Sequence, residues 1–227
     1  MKETVLLSIE ENLNNVEADL KERKITLVAV SKTKPVEDIK TAYNVGVRDF
    51  GENKVQEFMK KQPLLPDDIR WHLIGHLQRN KVKYIVGKVY LIHSLDSIRL
   101  LNELERRYSA KKLTANTLIQ INIGREESKT GIYVDDLERL IGACEKCTSV
   151  KVKGLMAVIP KGDEESCRHY FKEMKSIFED LKKREFKNIS MDILSMGMTH
   201  DYKIAIEEGS TLVRVGEGIF GKRNYNK

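Results

Sequence analysis

The stretch ITLVAVSKTKP, residues 25–35, decides the fold because it reads as a buried strand that runs into a lysine. Its first six residues are mostly aliphatic and β-branched, as in strands covered on both faces. Pro35 cannot donate to a sheet ladder, so the strand is predicted to end near Ser31. Lys32 then lies at the carboxyl end of a buried strand. Partial burial lowers the pKa of a lysine amine and makes it a nucleophile for carbonyl carbon, although a solvated loop lysine is the commoner case.

The composition is that of one globular domain. The chain has 227 residues, 41% of them hydrophobic, and its apolar runs are shorter than the roughly 18 residues of a membrane span. The first eight residues turn polar at once, unlike a signal peptide. Three cysteines, an odd number, argue against a disulfide framework and fit a reducing cytoplasm. We therefore expect a cytoplasmic protein with no membrane partner.

The charge is mildly basic and scattered. Lys and Arg number 40 against 34 Asp and Glu, a net charge of +6. The basic residues, such as Lys60 and Lys61, form no aromatic-interleaved stripe, which favours solvated faces over a nucleic-acid partner. A mild positive field would also favour a phosphorylated small ligand.

Short apolar runs alternate with helical patterns along the rest of the chain. The predicted strands are residues 25–30, 47–50, 71–74, 89–93, 117–123, 152–158, 191–196 and 211–215. The predicted helices are residues 36–45, 53–62, 78–86, 96–108, 134–147, 164–185, 200–208 and a short one at 219–223. Such alternation favours a parallel sheet, and eight strands favour an α/β fold closed as a single (β/α)₈ TIM barrel.

An additional helix is predicted before the first strand. Within residues 5–23, Leu6, Ile9, Leu13, Val16 and Leu20 are spaced three and four apart. We expect residues 1–23 to supply a helix packed on the barrel, with residues 1–227 forming one ligand-binding domain. A short coiled-coil seam is the alternative for this segment.

Two glycine-containing loops follow the last two strands. Barrels place ligands at the carboxyl ends of their strands, and phosphate commonly lies after strands seven and eight. There the chain reads SMGMTH, residues 195–200, and RVGEGIFG, residues 214–221. Hydroxyls and glycine amides can approach an anion closely. Together the two loops predict a phosphate site.

An amine at Lys32, a phosphate site and Arg214 at the end of strand eight suit an aldehyde that carries a phosphate and a ring nitrogen. Pyridoxal 5′-phosphate has these groups, with Arg214 facing the pyridine nitrogen. Because arginine stays charged, it disfavours protonation of that nitrogen and leaves a weak electron sink. A salt bridge at the barrel rim is the alternative role for Arg214.

Five ordered motifs resemble the pyridoxal phosphate homeostasis proteins over nearly the full length. They are AVSKTKP (29–35), FGEN (50–53), WHLIGHLQRNK (71–81), SMGM (195–198) and GSTLVRVG (209–216). The resemblance implies a barrel of the alanine-racemase N-terminal type, with pyridoxal 5′-phosphate held as an imine on Lys32. It also implies a set of cofactor-binding residues, which are Lys32, Asn53, Ser195, Gly197, Thr199, Arg214, Gly216, Glu217 and Gly218.

Some of these positions depart from the family pattern. Thr199 keeps the hydroxyl of a serine, whereas His200 and Glu217 differ from what we associate with the family. A carboxylate repels phosphate, so we expect the amide of Glu217, and not its side chain, to meet the ligand. Asn53 has helix capping as its alternative role.

The remaining candidate residues are expected to have structural rather than functional roles. His72 is expected to be a satisfied core imidazole, and Lys34 a solvent-facing lysine, with a second cofactor-reactive amine as the alternative. Cys144 and Cys147 form a lone CxxC, which is poor evidence for zinc, and we predict buried or idle thiols and no metal. Cys167 leads a predicted core stripe.

We expect a carrier or buffer of pyridoxal 5′-phosphate without robust amino-acid turnover. Racemase-type catalysis needs a second acid or base that another domain supplies, and the barrel takes about 200 residues. One alternative is a racemase-like enzyme that uses Lys34 or His200 as that base. Others are a barrel for a different phosphorylated metabolite and an interaction protein with a basic surface. Pyridoxal-phosphate-dependent apo-enzymes are the expected partners, and a monomer the expected state.

Overall fold

Eight parallel strands form a closed barrel, in which β8 pairs with β1. The computed structural model describes residues 8–21 and 23–222. The strands are β1 Thr26–Val30, β2 Asp49–Glu52, β3 Arg70–Leu73, β4 Leu91–Leu95, β5 Ala115–Ile121, β6 Val150–Ala157, β7 Ile189–Met198 and β8 Leu212–Val215. The (β/α)₈ barrel predicted from strand and helix alternation is therefore confirmed.

Helices follow the strands and cover the barrel. They are α1 Ile9–Leu20, α2 Val36–Asn44, α3 Val55–Lys61, α4 Ile98–Ser109, α5 Leu137–Cys144, α6 Glu164–Lys182, α7 Tyr202–Glu207 and α8 Glu217–Phe220. The helix predicted at 78–86 is a 3₁₀ helix, Arg79–Tyr84, and further 3₁₀ turns span Gln62–Leu64 and Val134–Asp136. In the described part of the chain, no helix is both long and apolar enough to cross a membrane.

Helix α1 begins at a capping box in which Ser8 and Glu11 each bond the other's backbone amide. Its buried face, Leu13, Val16 and Leu20, packs against α2 and α8. Asn12 adds a 3.0 Å hydrogen bond from its side-chain amide to the carbonyl of Ile219. The predicted helix 5–23 thus ends at Leu20, and residues 5–7 lie outside the described residues.

Strand β2 begins and ends two residues later than predicted. The apolar residues Val47 and Phe50 set the predicted bounds, whereas the strand itself continues through Gly51 and Glu52. A buried glutamate is unusual in a strand. Here it is accommodated because Lys61 approaches its carboxylate to 2.8 Å.

The barrel interior is divided into an apolar layer and a polar end. Its apolar cluster contains one residue from each of five strands, which are Val28, Leu91, Leu118, Met156 and Leu212. A larger cluster lies between strands and helices. The carboxyl ends of the strands carry polar groups, where a barrel places its ligands.

Candidate functional site

Lys32 lies on a tight turn directly after β1. The amide of Lys34 donates to the carbonyl of Ser31 at 3.0 Å, which closes the turn around Lys32 and Thr33. Thr33 has φ of +64°, a left-handed conformation that is unfavourable for a β-branched residue. Lys32 is half-buried. The strand ends at Val30, as the sequence predicted, so the amine side chain starts from a fixed position at the barrel mouth.

A buried ionic cluster supports this turn from behind. The Lys61 ammonium donates to the carbonyl of Ser31 at 2.8 Å and to carboxylate oxygens of Glu52 and Glu57 at 2.8 and 2.7 Å. Glu57 also accepts from the amide of Thr33 at 2.5 Å. The prediction that Lys61 is a solvated surface charge is wrong, because its side chain is only 8% exposed.

Burial raises the pKa of Glu52, and the nearby Lys61 ammonium opposes that shift without reversing it. One carboxylate oxygen accepts from Ser31 and Lys61, while the other, Oε2, is buried without a hydrogen-bond partner among the described residues. Burying these charged groups carries a desolvation penalty, and the cluster lies directly beside the lysine turn.

Asn53 follows β2 at the same level as the lysine turn follows β1, since Ala29 pairs with Phe50. It is half-buried, and the N-cap of α3 is the next residue, Lys54. The helix-capping alternative for Asn53 is therefore wrong. Gly75 lies close against its backbone, where an added Cβ would be 2.5 Å from the Asn53 carbonyl oxygen. The backbone of Asn53 is thus held at the barrel mouth.

The loops after β7 and β8 meet at one oxygen atom. The amides of Gly216 and Gly218 donate to Oγ1 of Thr199 at 3.3 and 3.2 Å. Gly197 has φ of +92°, and a Cβ there would lie 2.6 Å from that of Ala205, so only glycine fits the turn. Two amides that converge on one oxygen form a cradle of the kind that holds a phosphate oxygen.

The cradle adjoins the strand that carries the lysine. Strand β8 pairs with β1, and Val215 lies level with Ala29. A Cβ on Gly216 would lie 3.1 Å from the carbonyl oxygen of Val30. The sequence-predicted amine and the predicted phosphate loops therefore meet at neighbouring strand ends.

Arg214 is buried inside the barrel and is 4% exposed. Its guanidinium donates from Nη1 to Oγ of Ser195 at 2.6 Å and from Nη2 to the carbonyl of Ala157 at 2.9 Å. Burial lowers the pKa of Arg214 to about 10, and Asp201 opposes the shift. The rim salt bridge is therefore not its role, because both of these acceptors are neutral.

Ser195 belongs to the surroundings of Arg214. Its hydroxyl is fully buried and also lies 3.1 Å from Nδ1 of His93. The amides of Gly216 and Gly218, by contrast, donate to Thr199. A direct contact between Ser195 and phosphate stays a prediction.

The two residues that depart from the family pattern are exposed. His200 lies in the turn after β7, and Glu217 is the first residue of α8. The amides on either side of Glu217 are the ones that converge on Thr199. A contact between the Glu217 amide and the ligand stays a prediction.

The prediction that Lys34 faces solvent is wrong. This lysine is half-buried, and its ammonium donates to the carbonyls of Phe220 and Lys222 at 2.5 and 3.2 Å. The carbonyl of Phe220, the last residue of α8, and that of Lys222 beyond it thus hold this second lysine.

His72 and the cysteines lie in the core, as their predicted structural roles require. His72 is buried, and both of its ring nitrogens are hydrogen-bonded, to His93 and Asp49. All three cysteines are free and buried, and burial raises the thiol pKa of Cys144 to about 12. In the described ranges, no group of three or more His, Cys, Asp or Glu side chains could hold a metal.

Comparison with known proteins gives the family. Residues 6–224 match the model of the alanine racemase N-terminal domain. The chain is 45% identical over 201 residues to the pyridoxal phosphate homeostasis protein of Aquifex aeolicus, covering 88% of this chain and 87% of that protein. This chain belongs to the pyridoxal phosphate homeostasis protein family. The Pasteurella multocida member is 39% identical, with 97% of this chain and all of that protein covered.

Solved structures of a family relative have the same fold. PipY of Synechococcus elongatus, determined without and with pyridoxal phosphate, superposes with TM-scores of 0.89 and 0.86 at 33% and 32% identity. Each superposition covers 94% of this chain and all of PipY. A histidine racemase from Leuconostoc mesenteroides superposes with a TM-score of 0.73 at 14% identity over 57% of its length, which shows a shared fold alone.

Sequence reasoning missed the side chains that lie behind the site. Lys61 follows Glu57 by four residues on α3, a spacing that signals an ion pair but not its burial. His93 ends a predicted strand, and nothing in its neighbours indicates that it meets His72. Only barrel closure brings β3, β4, β7 and β8 together around these groups.

Proposed function

We propose that this protein binds pyridoxal 5′-phosphate as a covalent imine on Lys32 and acts as an intracellular carrier or buffer of that cofactor. The observation that carries the proposal is that three kinds of donor group lie on neighbouring strands, β1 and β8, or on the loops that follow them. These are the amine of the half-buried Lys32, the amides of Gly216 and Gly218, and the cation of the buried Arg214. The family name and the PipY structure with pyridoxal phosphate support the same ligand.

The residues present fit such a ligand by their chemistry. The amides of Gly216 and Gly218 donate to Oγ1 of Thr199, and a phosphate oxygen would replace that hydroxyl as their acceptor. The Lys32 amine, once deprotonated, adds to an aldehyde carbon. A C=N bond then replaces the C=O bond, and water leaves, so the step needs no oxidant. Asn53 is proposed to contact the ring, and Ser195, Gly197 and Glu217 to complete the binding site.

A binding role is favoured over turnover by the surroundings of Arg214. The bound cofactor supplies electron withdrawal through its ring nitrogen, most strongly when that nitrogen is protonated. The two acceptors bonded to Arg214, Ser195 and Ala157, carry no negative charge that would offset the guanidinium. A full cation beside the ring nitrogen disfavours its protonation. We therefore propose no robust amino-acid chemistry, with racemase-like activity as the alternative.

Further parts of the proposal concern the cellular setting. The three free thiols suit the reducing cytoplasm. Pyridoxal-phosphate-dependent apo-enzymes are the proposed recipients, and a monomer is the proposed state.

The test is the visible spectrum of the purified protein after incubation with pyridoxal 5′-phosphate. We expect an imine band that borohydride removes, leaving a reduced adduct on Lys32 in peptide mapping. Lys32→Ala should lose the band, whereas the matched Lys34→Ala variant should keep it. A colourless wild-type protein without an adduct overturns the proposal.

Activity assays separate a carrier from an enzyme. Amino acids are incubated with the loaded protein in deuterated water, and exchange at the α-carbon and racemisation are measured. We expect rates far below the roughly 1–10³ per second of ordinary enzymes. Turnover in that range, lost in Lys32→Ala, would overturn the carrier role and support the racemase-like alternative.

A further inference from the structure

A continuous chain of hydrogen bonds crosses the barrel interior from Arg214 on β8 to His93 on β4 and continues to Asp49 on β2. Ser195 Oγ lies 2.6 Å from Arg214 and 3.1 Å from Nδ1 of His93. Nε2 of His93 lies 2.9 Å from Nδ1 of His72, whose Nε2 lies 3.0 Å from Asp49. The chain thus links β8, β7, β4, β3 and β2, and its members are all at least nine-tenths buried.

For two neutral imidazoles, the carboxylate end of the chain sets the direction of every bond in it. Asp49 only accepts, so His72 donates to it from Nε2 and accepts at Nδ1. His93 donates to His72 from Nε2, which leaves its Nδ1 as the acceptor of the Ser195 hydroxyl proton. Ser195 in turn accepts from Arg214, since a guanidinium only donates.

The far end of the chain is a carboxylate that is itself held. Arg70 donates to Asp49 from Nε at 2.7 Å and from Nη2 at 2.5 Å. Burial acts to raise the pKa of Asp49, but hydrogen bonds from His72 and Arg70 outweigh it and lower the pKa overall. Asp49 is therefore an ionised acceptor at neutral pH.

Both imidazoles are neutral in this arrangement. Burial lowers the pKa of His72, which Asp49 opposes, and it lowers the pKa of His93 well below its usual value, with His72 and Arg214 adding to that shift. The charged groups that face the pair are Arg214 at one end and Asp49 with Arg70 at the other. A second proton on His93 would remove the acceptor that Ser195 needs.

We propose that His93 is a positioning residue for the cofactor site, which acts through Ser195 to hold the Arg214 guanidinium in place. This inference rests on the proposed function, because the guanidinium is held for the ring nitrogen of the bound cofactor. The two histidines supply a chain of acceptors and donors without a charge of their own. Arg214 is thus fixed, yet within residues 8–21 and 23–222 it forms no ion pair that would cancel its positive charge.

The first test needs no cofactor. Two-bond nitrogen–proton correlation spectra of the nitrogen-15-labelled protein report the tautomer of each histidine. We expect His72 and His93 to be neutral and protonated on Nε2 from pH 6 to 8. An imidazolium or an Nδ1–H tautomer at His93 overturns the inference, whether or not the protein binds pyridoxal phosphate.

The second test compares two variants at one position. His93→Leu removes the acceptor for Ser195, and it should weaken pyridoxal 5′-phosphate binding by up to about tenfold, the upper end of what one hydrogen bond between neutral groups contributes. It should also shift the pH at which the imine band titrates. His93→Asn keeps an acceptor near the Nδ1 position, and its affinity should lie within about threefold of the wild-type value.

A control separates positioning from general damage to the barrel. Leu118→Ala removes apolar volume from the interior layer and should lower stability without moving the imine titration. If His93→Leu binds and titrates like wild-type protein, the inference fails while the proposed function stands. If wild-type protein forms no imine, the proposed function fails, and the tautomer measurement still tests the chain.

Discussion

Two buried cations lie near the barrel mouth, and their surroundings are opposite in charge. Lys61, behind the Lys32 turn, touches two carboxylates, whereas Arg214 donates to a hydroxyl and a carbonyl. Lys61 is thus neutralised where it is buried. The positive charge of Arg214 is not balanced by its two acceptors, so it can act on a ligand at the barrel mouth.

This difference teaches what each cation is for. An ion pair in the interior gains little net stability but is costly to break, so it suits a part that must keep one conformation. The strained turn at Thr33 is such a part. A cation held by neutral partners instead keeps its field, which suits recognition of an electron-rich ligand group. Substitutions in either region can test this difference between the two cations.

The largest effect is expected from Lys61→Met. It leaves the buried carboxylate of Glu52 without its cation, and breaking a buried pair costs about 3–5 kcal/mol. Urea unfolding should show that loss in the free energy of unfolding. The neighbouring Lys60 is exposed, and Lys60→Met should change the free energy of unfolding by less than about 0.5 kcal/mol. Equal effects of the two variants would show that the ionic cluster is not structural.

The pH dependence of stability should have opposite signs in the two regions. The pKa of Glu52 is raised above 4.5, so the wild type should lose stability relative to Glu52→Gln as the pH rises through that raised pKa. The pKa of Asp49 is lowered below 3.8, so the advantage over Asp49→Asn should vanish as the pH falls through it. Each slope is at most about 1.4 kcal/mol per pH unit. Denaturant titrations at several pH values measure both, and slopes of the same sign would contradict the comparison.

A smaller effect is expected at the amide cradle. Thr199→Val removes the oxygen that the amides of Gly216 and Gly218 share, and it should lower the free energy of unfolding by about 1 kcal/mol. Thr199→Ser retains the hydroxyl and should match the wild type within about 0.5 kcal/mol. Thermal unfolding of both variants with and without inorganic phosphate checks the site. We expect phosphate to stabilise the valine variant more, and no difference would argue against an anion cradle.

The smallest effect concerns the turn itself. Asparagine tolerates the left-handed backbone better than a β-branched residue, so Thr33→Asn should raise the free energy of unfolding by about 0.5–1 kcal/mol. Thr33→Val keeps the branching and serves as the matched control, with a change under about 0.5 kcal/mol. Urea unfolding measures both variants. A stabilised valine variant would show that strain at this residue is not the cause.

Much of the fold was predictable because the strand pattern is local. Runs such as 152–158 are apolar apart from Lys153, and they match β6, Val150–Ala157, with small errors at the ends. The boundary errors arise where buried polar residues continue a strand, as Glu52 does in β2. The 3₁₀ helix Arg79–Tyr84 was harder to predict, since helical spacing over so few residues does not separate the two helix types.

The sequence by itself determined the closed barrel, the lysine after β1 and the loops after β7 and β8, because periodicity and turn residues are properties of neighbouring positions. Only the tertiary structure decided that Lys61 is buried, that Asn53 does not cap a helix and that Lys34 is held at the end of α8. It also decided that His72 and His93 join Ser195. The contacts of Lys34 and of the two histidines link residues 21 to 188 positions apart, and which strands approach one another is fixed only when the sheet closes.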